Sequence, residues 1–433
     1  MTDRISYDNN TRKWIKVLKV ILLVFFLTAM ILLAVYPVKD QDVTVMIDMY
    51  GCTVSARFSA DEIKESEQLC MDLSDHSDQG IREIRIYRIF KSVCVEKIPS
   101  GSLQEYAVIN DNKITFNGKA GDMLRRISES FFAERLILAE ILLALVMFLW
   151  ILVNAFGERF DPNIRNNHSP IYEIKRFMKD IKRYGPFMVY AANADLKAEV
   201  ANSYLNRLWW LLEPFFNMLV YVIVFGKVMG SSVENYATFV FSGLLMWNFF
   251  HKTINYSVKC VRSNRDIVTK VYVPKHVLLI SNMILNFFKL LFSLIVLIPM
   301  LLIFHVRIGW CVFWLLPAYG VMILVSFGLG MFFLHYGVYI DDLGYAVGIL
   351  LQMMMFLSGV FYDVITGLSV PLNVMMLVLN PVSMFVDTMR NALLGNVMAN
   401  VPLIGVWTVL SLLLGYMGVH VVYKSENGYV KVV

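Results

Sequence analysis

Runs of about twenty apolar residues constrain this chain more than any other feature. Eight stand out, at 14–36, 134–156, 209–228, 236–256, 277–304, 310–336, 343–362 and 401–423. Backbone that enters hydrocarbon must satisfy every N–H and C=O internally, and a run of this length does so as a helix. The reading is an α-helical integral membrane protein with about eight spans. Composition agrees, with 58% of residues hydrophobic and 17% charged, against roughly a half and a quarter in soluble domains.

Charge sets the sidedness. Arg4, Arg12, Lys13, Lys16 and Lys19 precede the apolar core of the first run, Val20–Val35, which places the N-terminus in the cytoplasm. No small-residue cleavage site follows that run, so it reads as a retained anchor and not as a signal peptide. Eight spans return the C-terminus to the same side. Residues 257–276 carry Lys259, Arg262, Arg265, Lys270 and Lys275 against Asp266 alone, whereas 229–235 has no Lys or Arg and 363–400 has only Arg390. The net charge of +5 is mostly this asymmetry, which speaks against a nucleic-acid partner.

Five regions follow. Residues 1–36 are an N-terminal anchor helix. Residues 37–133 are mixed in charge and form a small extracytoplasmic α+β domain. Strands are expected at Val43–Met49, Glu83–Phe90 and Lys113–Phe116, with helices at Asp61–Leu73 and Gly121–Phe132. Residues 134–156 are a second anchor. Residues 157–208 hold a cytoplasmic linker and an amphipathic interface helix. There Ile171, Ile174, Phe177, Met178 and Ile181 face the membrane, while Lys175, Arg176, Lys179, Lys182 and Arg183 occupy the other side. Packing of that helix on a soluble partner is the rival reading. Residues 209–433 form a six-span core. Between its last two spans, 364–400 is too broken to cross, and two short outer helices are expected at Leu372–Leu379 and Val382–Leu394.

Catalytic motifs are missing. There is no GxxxxGK[ST] phosphate loop, HExxH, GxSxG or paired-cysteine metal site, so neither ATP hydrolysis by that loop nor a bound metal is expected on this chain. Cys52, Cys70 and Cys94 fall in the outer domain, where an odd number cannot all pair, so one disulfide and a reduced set both stay open. His305 and His335 read as interfacial or packed residues. Lys289 reads as a side chain snorkelling towards the cytoplasm, with a substrate contact as the rival. The stretch Ala194–Gly226 is the most distinctive. A polar helix runs without a loop into Trp209-Trp210, Glu213-Pro214 and a span. Aromatic residues, 14% of the chain, crowd this region. Packing and a lining that offers ring faces to sugars both remain open for them.

From about residue 170 onward the chain resembles the permease subunit of ABC-2 type polysaccharide exporters. The likeness rests on four blocks in order: Asp195–Pro214, Ser263–His276, Asp341–Tyr362 and Asn380–Leu394. It departs in three places. Residues 1–156 have no counterpart, Ser358-Gly359 stands for a usual Ser-Pro, and Asp341-Asp342 stands for a usual Arg-Asp. The Ser358-Gly359 departure implies a more flexible kink, or none.

The resemblance implies a permease homodimer in the bacterial cytoplasmic (inner) membrane, driven by two copies of a separate ATPase subunit that bind ATP and Mg, with no cofactor on this chain. It implies a polyprenyl-diphosphate-linked glycan as cargo, of O-antigen, teichoic acid, capsule or rhamnan type. Lys197, Arg207, Trp209, Trp210, Glu213 and Pro214 would form the entrance gate, Glu213-Pro214 fixing the kink where the surface helix enters the membrane. Phe215, Phe216, Tyr221, Trp247, Phe249 and Phe250 would line the channel. Ser263, Asn264, Arg265, Asp266, Lys270 and Pro274 would couple to the ATPase. Asn380, Pro381 and Arg390 would organise the outer re-entrant helices. The rivals are an ABC-2 exporter of drugs or lipids and, from the anchor–domain–anchor look of residues 1–156, a membrane receptor or chain-length regulator.

Overall fold

The computed structural model describes residues 17–30, 43–49, 53–59, 62–63, 69–72, 81–88, 93–99, 102–110, 113–129, 132–160, 170–230, 233, 235–306, 309–368, 372–395 and 400–432. The first helix, α1 (Val17–Met30), covers the described part of the first anchor. Cys52 and the Cys94 side chain lie outside the described set, and Cys70 is a free thiol.

The outer domain is built from two antiparallel sheets and a covering helix. The first sheet has the order β2-β1-β4-β5, from β1 (Val43–Met49), β2 (Thr53–Phe58), β4 (Ile81–Arg88) and β5 (Val93–Pro99). The second has the order β3-β7-β6, from β3 (Leu69–Asp72), β6 (Ala107–Asn110) and β7 (Lys113–Phe116). A short turn of helix, α2 (Leu103–Tyr106), leads into β6. Alternation builds the core. Val43, Val45 and Ile47 point to one face and are fully buried, as are Ile84 and Ile86 from the neighbouring strand. Then α3 (Gly118–Glu129) lays Ala120, Leu124 and Ile127 on this core at helical spacing. Asn117 starts it, its Oδ1 accepting the Ala120 N–H at 3.1 Å.

The helix expected over 61–73 is not what forms. Among the described residues there, 62–63 are helical, but Leu69–Asp72 is a strand paired with β7. Leu69 and Met71 are buried while Cys70 between them is exposed, a period of two that a four-residue strand shows too briefly to be read.

Among the described residues, five stretches are long and apolar enough to cross a membrane: Arg135–Val153, Asn206–Val228, Lys275–Ile303, Trp310–Tyr339 and Val401–Tyr429. They lie in α4 (Phe132–Phe160), α6 (Trp209–Tyr221, continued by a π-helical segment to Val228), α9 (Lys275–Ile303), α10 (Leu315–Tyr339, after a 3-10 turn from Trp310) and α15 (Val401–Val432). The expected span at 236–256 is α7 (Tyr236–Ser263). It is less apolar because Asn248, His251, Lys252 and Asn255 occupy its second half. It compensates by lying inside the bundle, against α6, α9 and α10. The tightest crossing joins α10 to α7, where a Cβ on Gly337 would overlap the Val258 carbonyl, and α10 also crosses α15 closely, a Cβ on Gly328 coming within 3.0 Å of the Gly415 nitrogen.

The span expected over 343–362 stops short. It is α11 (Leu343–Leu357), and Gly359 ends it with φ +70°. That left-handed residue terminates the helix tightly, so the replacement of a Ser-Pro here makes a fixed stop and not a flexible kink. A short α12 (Val364–Gly367) follows. Next come α13 (Leu372–Leu379) and α14 (Pro381–Arg390), bent by 96° at Asn380. Asn380 shapes the bend. Its Oδ1 accepts the Val382 N–H, its Nδ2 donates to Ser358 Oγ at 2.8 Å, and Pro381 opens α14 where no N–H is needed.

A second difference concerns the entrance. The interface helix, α5 (Pro170–Val200), does not run without a loop into the next span. Residues 201–208 intervene, including a 3-10 turn at Asn206–Leu208, and Asn206 itself has φ +45°. Pro214 sits inside α6 and not at the bend.

Sidedness is self-consistent. β5 of the outer domain packs on α12 and α13, so the two regions assigned to the outside meet. α5 packs on α9 at the opposite face. Its buried stripe, Glu173, Met188, Ala192, Leu196 and Val200, faces the bundle, while Ile174 and Met178 stay exposed beside the basic face. Phe177 also turns inward, its ring 5.7 Å from that of Phe327 on α10.

Candidate functional site

The end of α5 and the inner halves of α6, α7 and α9 leave a cleft open to the face that positive charge assigns to the cytoplasm. Its volume is about 830 Å³. α7 contributes Lys252, Tyr256 and Lys259, four and three residues apart. α9 contributes Asn282, Asn286 and Lys289 at the same spacing, so each helix turns one polar face to the cleft. α6 contributes Trp209, Trp210 and Glu213, and α5 contributes Glu199. A recess of about 30 Å³ continues inward past Pro214, Asn248, Phe249 and Ser293.

The charges are paired but loosely held. Lys252 Nζ lies 3.1 Å from Glu213 Oε1, with the two side chains 35% and 52% exposed. Lys289 Nζ lies 2.6 Å from Glu199 Oε1, and that carboxylate is 44% exposed. Pairs this open are worth about 0–1 kcal/mol, so an incoming anion displaces the carboxylates at small cost. Asn286 donates to Asn282 Oδ1 at 3.0 Å and to Thr253 Oγ1 at 3.3 Å, fixing the floor. Trp210 is 8% exposed and packs against Phe292 with ring centres 5.0 Å apart, and its indole N–H has no partner among the described residues. A buried donor left unsatisfied costs about 1–3 kcal/mol, which a ligand acceptor can recover.

The expected gate residues separate. Trp209, Trp210 and Glu213 line the cleft, and Pro214 lines the recess. Arg207 sits in the exposed 3-10 turn before α6 and is not in the lining. Lys197 lines a different groove, about 740 Å³, with Pro186 and Tyr190 on the outer flank of α5. The basic residues in the cleft are Lys252, Lys259 and Lys289. Lys252 carries no signal when 236–256 is taken as an apolar span, and Lys259 reads only as part of the positive segment after it, although their spacing with Tyr256 marks one helical face.

The aromatic residues also divide. Phe216 is exposed on α6, and Phe215 is partly buried beside it. Tyr221 is partly buried against Phe361, 4.6 Å between ring centroids. Trp247, Phe249 and Phe250 are 2–3% exposed, which places them inside the helix bundle of one chain; only Phe249 meets the recess. Their position on α7 is one of packing, because that helix is surrounded on its apolar half.

The loop between α7 and α9 holds α8 (Arg265–Lys270). Ser263 ends α7 and Pro274 precedes α9. Asn264 ties the loop down, donating to Tyr256 O–H at 2.8 Å and to the Cys260 carbonyl at 2.7 Å. Val268 is buried beneath it, while Arg265, Asp266 and Lys270 are exposed. Arg176 of α5 holds the loop from the side, donating to Tyr272 O–H at 2.7 Å and to Glu426 of α15 at 2.8 Å. Burial, reinforced by the Glu426 charge, pushes the Tyr272 hydroxyl up to about 12. The loop is thereby joined to both ends of the core. Arg262 pairs with Asp341, the residue that departs from the Arg-Asp pattern.

On the outer face a denser polar knot forms around Arg390. Its Nη1 donates to the Gly359 carbonyl at 2.6 Å, its Nη2 to Val360 at 2.6 Å and its Nε to Phe239 at 3.3 Å. The guanidinium lies 3.4 Å from the Phe239 ring centre. Gly243 makes room, since a Cβ there would stand 2.8 Å from Nη2. The outer domain joins this knot. Lys97 Nζ lies 2.8 Å from Asp363 Oδ2 and 3.8 Å from Asp387 Oδ1. Arg85 bonds Glu83 and donates to Asn391 Oδ1 at 3.3 Å. Burial alone would lower the Lys97 pKa, but Asp363 and Asp387 outweigh it and hold it raised. Burial alone would raise Glu83, but Arg85 and Lys97 hold it below the usual carboxylate range.

Comparison with known proteins gives a consistent pattern. Residues 191–394 match the model of the ABC-2 type transporter family. The O-antigen export system permease protein RfbA of Myxococcus xanthus is 29% identical over 210 residues, which is 48% of this chain and 79% of that protein. The protein of the same name from Klebsiella pneumoniae is 24% identical over 176 residues, 40% of this chain and 68% of its own length. The matched region contains the cleft, the loop with α8 and the outer knot, and the outer domain lies before it.

Proposed function

Because residues 191–394 match the model of the ABC-2 type transporter family, we propose that this chain is the permease subunit of an ATP-driven exporter of a lipid-linked cell-surface polysaccharide. Two copies would form the path through the bacterial cytoplasmic membrane, and a separate ATPase would supply the work. The observation that carries this reading is the cleft: an open, lysine-bearing, tryptophan-walled space at the cytoplasmic end of a region similar to O-antigen export permeases.

The cleft suits a diphosphate attached to both a lipid and a sugar. Lys252 and Lys289 exchange their carboxylate partners for phosphate oxygens, a charge-assisted contact that gains on the half-exposed pairs it replaces. Lys259 adds a third positive charge. Trp209 and Trp210 offer ring faces to the first sugar, and the free indole N–H of Trp210 donates to a hydroxyl or phosphate oxygen. Arg207 and Lys197, exposed near the same helix end, meet anionic headgroups outside the cleft. Phe216, seven residues after Trp209, continues an aromatic face along α6 towards the outer end, while Tyr221 turns from it to pack on Phe361.

The exposed residues of α8, Arg265, Asp266 and Lys270, dock on the ATPase, and Arg176 passes its movement to α5 and α15. ATP and Mg bind to that partner. The test is deletion of this chain in its native cell. Loss of the surface polymer, with lipid-linked polymer accumulating on the cytoplasmic side and restored by the chain together with its ATPase, is expected. Unchanged surface polymer, with loss of a drug or lipid efflux activity, would sink the reading.

A further inference from the structure

The outer domain has a mechanical place in the transporter. α6 and α7 wall the cleft at their inner ends, through Trp210, Glu213, Lys252 and Lys259. Their outer ends meet at one point. Phe361 stacks on Phe225 of the π-helical segment at 4.5 Å and lies 4.6 Å from Tyr221. Tyr236, at the start of α7, donates to the Phe361 carbonyl at 2.7 Å. Arg390 holds the same turn, through the carbonyls of Gly359 and Val360, and holds α7 through Phe239.

That turn is held from outside as well. Asp363 immediately follows it. One carboxylate oxygen accepts the Ile365 N–H and starts α12, and the other accepts Lys97 of β5 at 2.8 Å. Asp387 of α14 faces the same ammonium and accepts from Asn391 at 2.7 Å. Asn391 in turn accepts from Arg85 of β4. Tyr87 packs with Val364, Ile365 and Leu377 between these polar links. Lys97 and Arg85 are 8% and 3% exposed. Lys97 thus reaches from the outer domain into the turn that gathers the outer ends of the cleft helices, and Arg85 reaches Asn391 at the end of α14, which braces Asp387 beside the same ammonium.

We infer that Lys97 and Arg85 are positioning residues for transport: through the 358–363 turn and α14 they fix the outer ends of α6 and α7, and so set how wide the cleft stands at their inner ends. The outer domain is then part of the transport cycle and not a passive attachment. A helix pinned at one end pivots about that end. Releasing the pin lets the outer ends part and the inner ends close. The inference rests on the export reading for its cargo, but the geometry it concerns belongs to the chain alone.

The experiment uses the full chain assembled with its ATPase in membranes. Asn255, exposed in the cleft, is replaced by Cys, and its labelling by a membrane-impermeant thiol reagent is followed from the cytoplasmic side, with and without Lys97→Met. Lys97→Arg serves as the conservative control, and all rates are scaled to assembled complex. Expected is a fall of about tenfold in labelling and in export per complex for Lys97→Met, largely restored by Lys97→Arg, with ATP hydrolysis retained. Labelling that is unchanged or faster overturns the inference. So does a parallel loss of assembly, hydrolysis and export that leaves labelling per complex unaltered, since a merely structural role predicts that pattern. A tenfold fall in labelling in a transporter that moves no glycan even unsubstituted supports this inference while removing the glycan reading.

Discussion

The polar groups of the outer knot and those of the cytoplasmic cleft use the same kinds of side chain to opposite ends. In the knot, Arg390 is 7% exposed and its donors meet fixed backbone carbonyls. In the cleft, Lys252 and Lys289 meet carboxylates that are about half exposed and free to rotate. A buried ion with rigid partners is costly to disturb, because removing any partner strands a charge in a poor dielectric. A half-exposed pair costs little to break, because water or another anion takes over. One arrangement holds a shape and the other exchanges partners, as the exit side and the loading side of a transporter require.

That contrast breaks most visibly at Arg390. Arg390→Met removes the guanidinium from Phe239 and Tyr362 and leaves the carbonyls of Gly359 and Val360 without their donor. A destabilisation of about 3–5 kcal/mol is expected. Thermal unfolding of the detergent-solubilised chain measures it, and a value below about 1 kcal/mol would show that the knot does not hold the outer face. Gly359→Ala comes next. At φ +70° a Cβ costs about 1–2 kcal/mol on backbone grounds, and it would also clash with Val364 Cγ2. A destabilisation of about 2–3 kcal/mol in the same assay is expected, and a neutral result would mean that α11 can end in another way.

A smaller effect follows from pH. Glu83 has a lowered pKa, so its contribution is present above the unfolded value near 4.3 and is lost as pH falls through the folded value. Lys97 has a raised pKa, so its contribution is present below the unfolded value near 10.4 and is lost as pH rises through the folded value. For attachment of the outer domain to the core, these two groups alone give no change between about pH 5 and pH 10 and a weakening of about 1 kcal/mol below pH 4, whereas Asp387, whose pKa burial raises, opposes the Glu83 trend on the acid side. Hydrogen exchange at Ile365, whose N–H is capped by Asp363, reports it. A midpoint near neutral pH would assign the attachment to other groups.

The parts of this architecture that follow a short period are legible in the chain. Val43–Met49 alternates and forms β1, and most of the apolar runs are helices close to their expected bounds. What escapes depends on single backbone conformations or on distant partners. Asn206 and Gly359 turn the chain with positive φ, and although both residue types tolerate it, most other described asparagines and glycines of the chain do not adopt it, so type alone does not mark these two. Lys252 and Tyr256 read as the end of a span and Lys259 as part of the loop after it, which hides the one face they share on α7. Arg207 and Lys197 are attractive because they sit close to the tryptophans in sequence, but the loop at 201–208 turns the cleft away from them. Lys97 and Asp363 are 266 residues apart, and no local pattern marks either as the other's partner.

The smallest expected change in stability separates the two regions most sharply. Lys252→Ala with Lys289→Ala removes both cleft pairs, yet Glu213 and Glu199 are exposed enough to be solvated alone. The destabilisation is expected to stay below about 1 kcal/mol for the double substitution. Export per assembled complex should nevertheless fall by tenfold or more, because two charge-assisted contacts to the cargo go with the lysines and each tenfold corresponds to about 1.4 kcal/mol. The Glu213→Gln, Glu199→Gln double variant should do the reverse, binding the anionic carrier more tightly because nothing competes for the lysines, and so slowing release into the path. A stable variant lacking both lysines that exports at the normal rate would place the loading site elsewhere, and would leave the cleft a packing defect between α7 and α9.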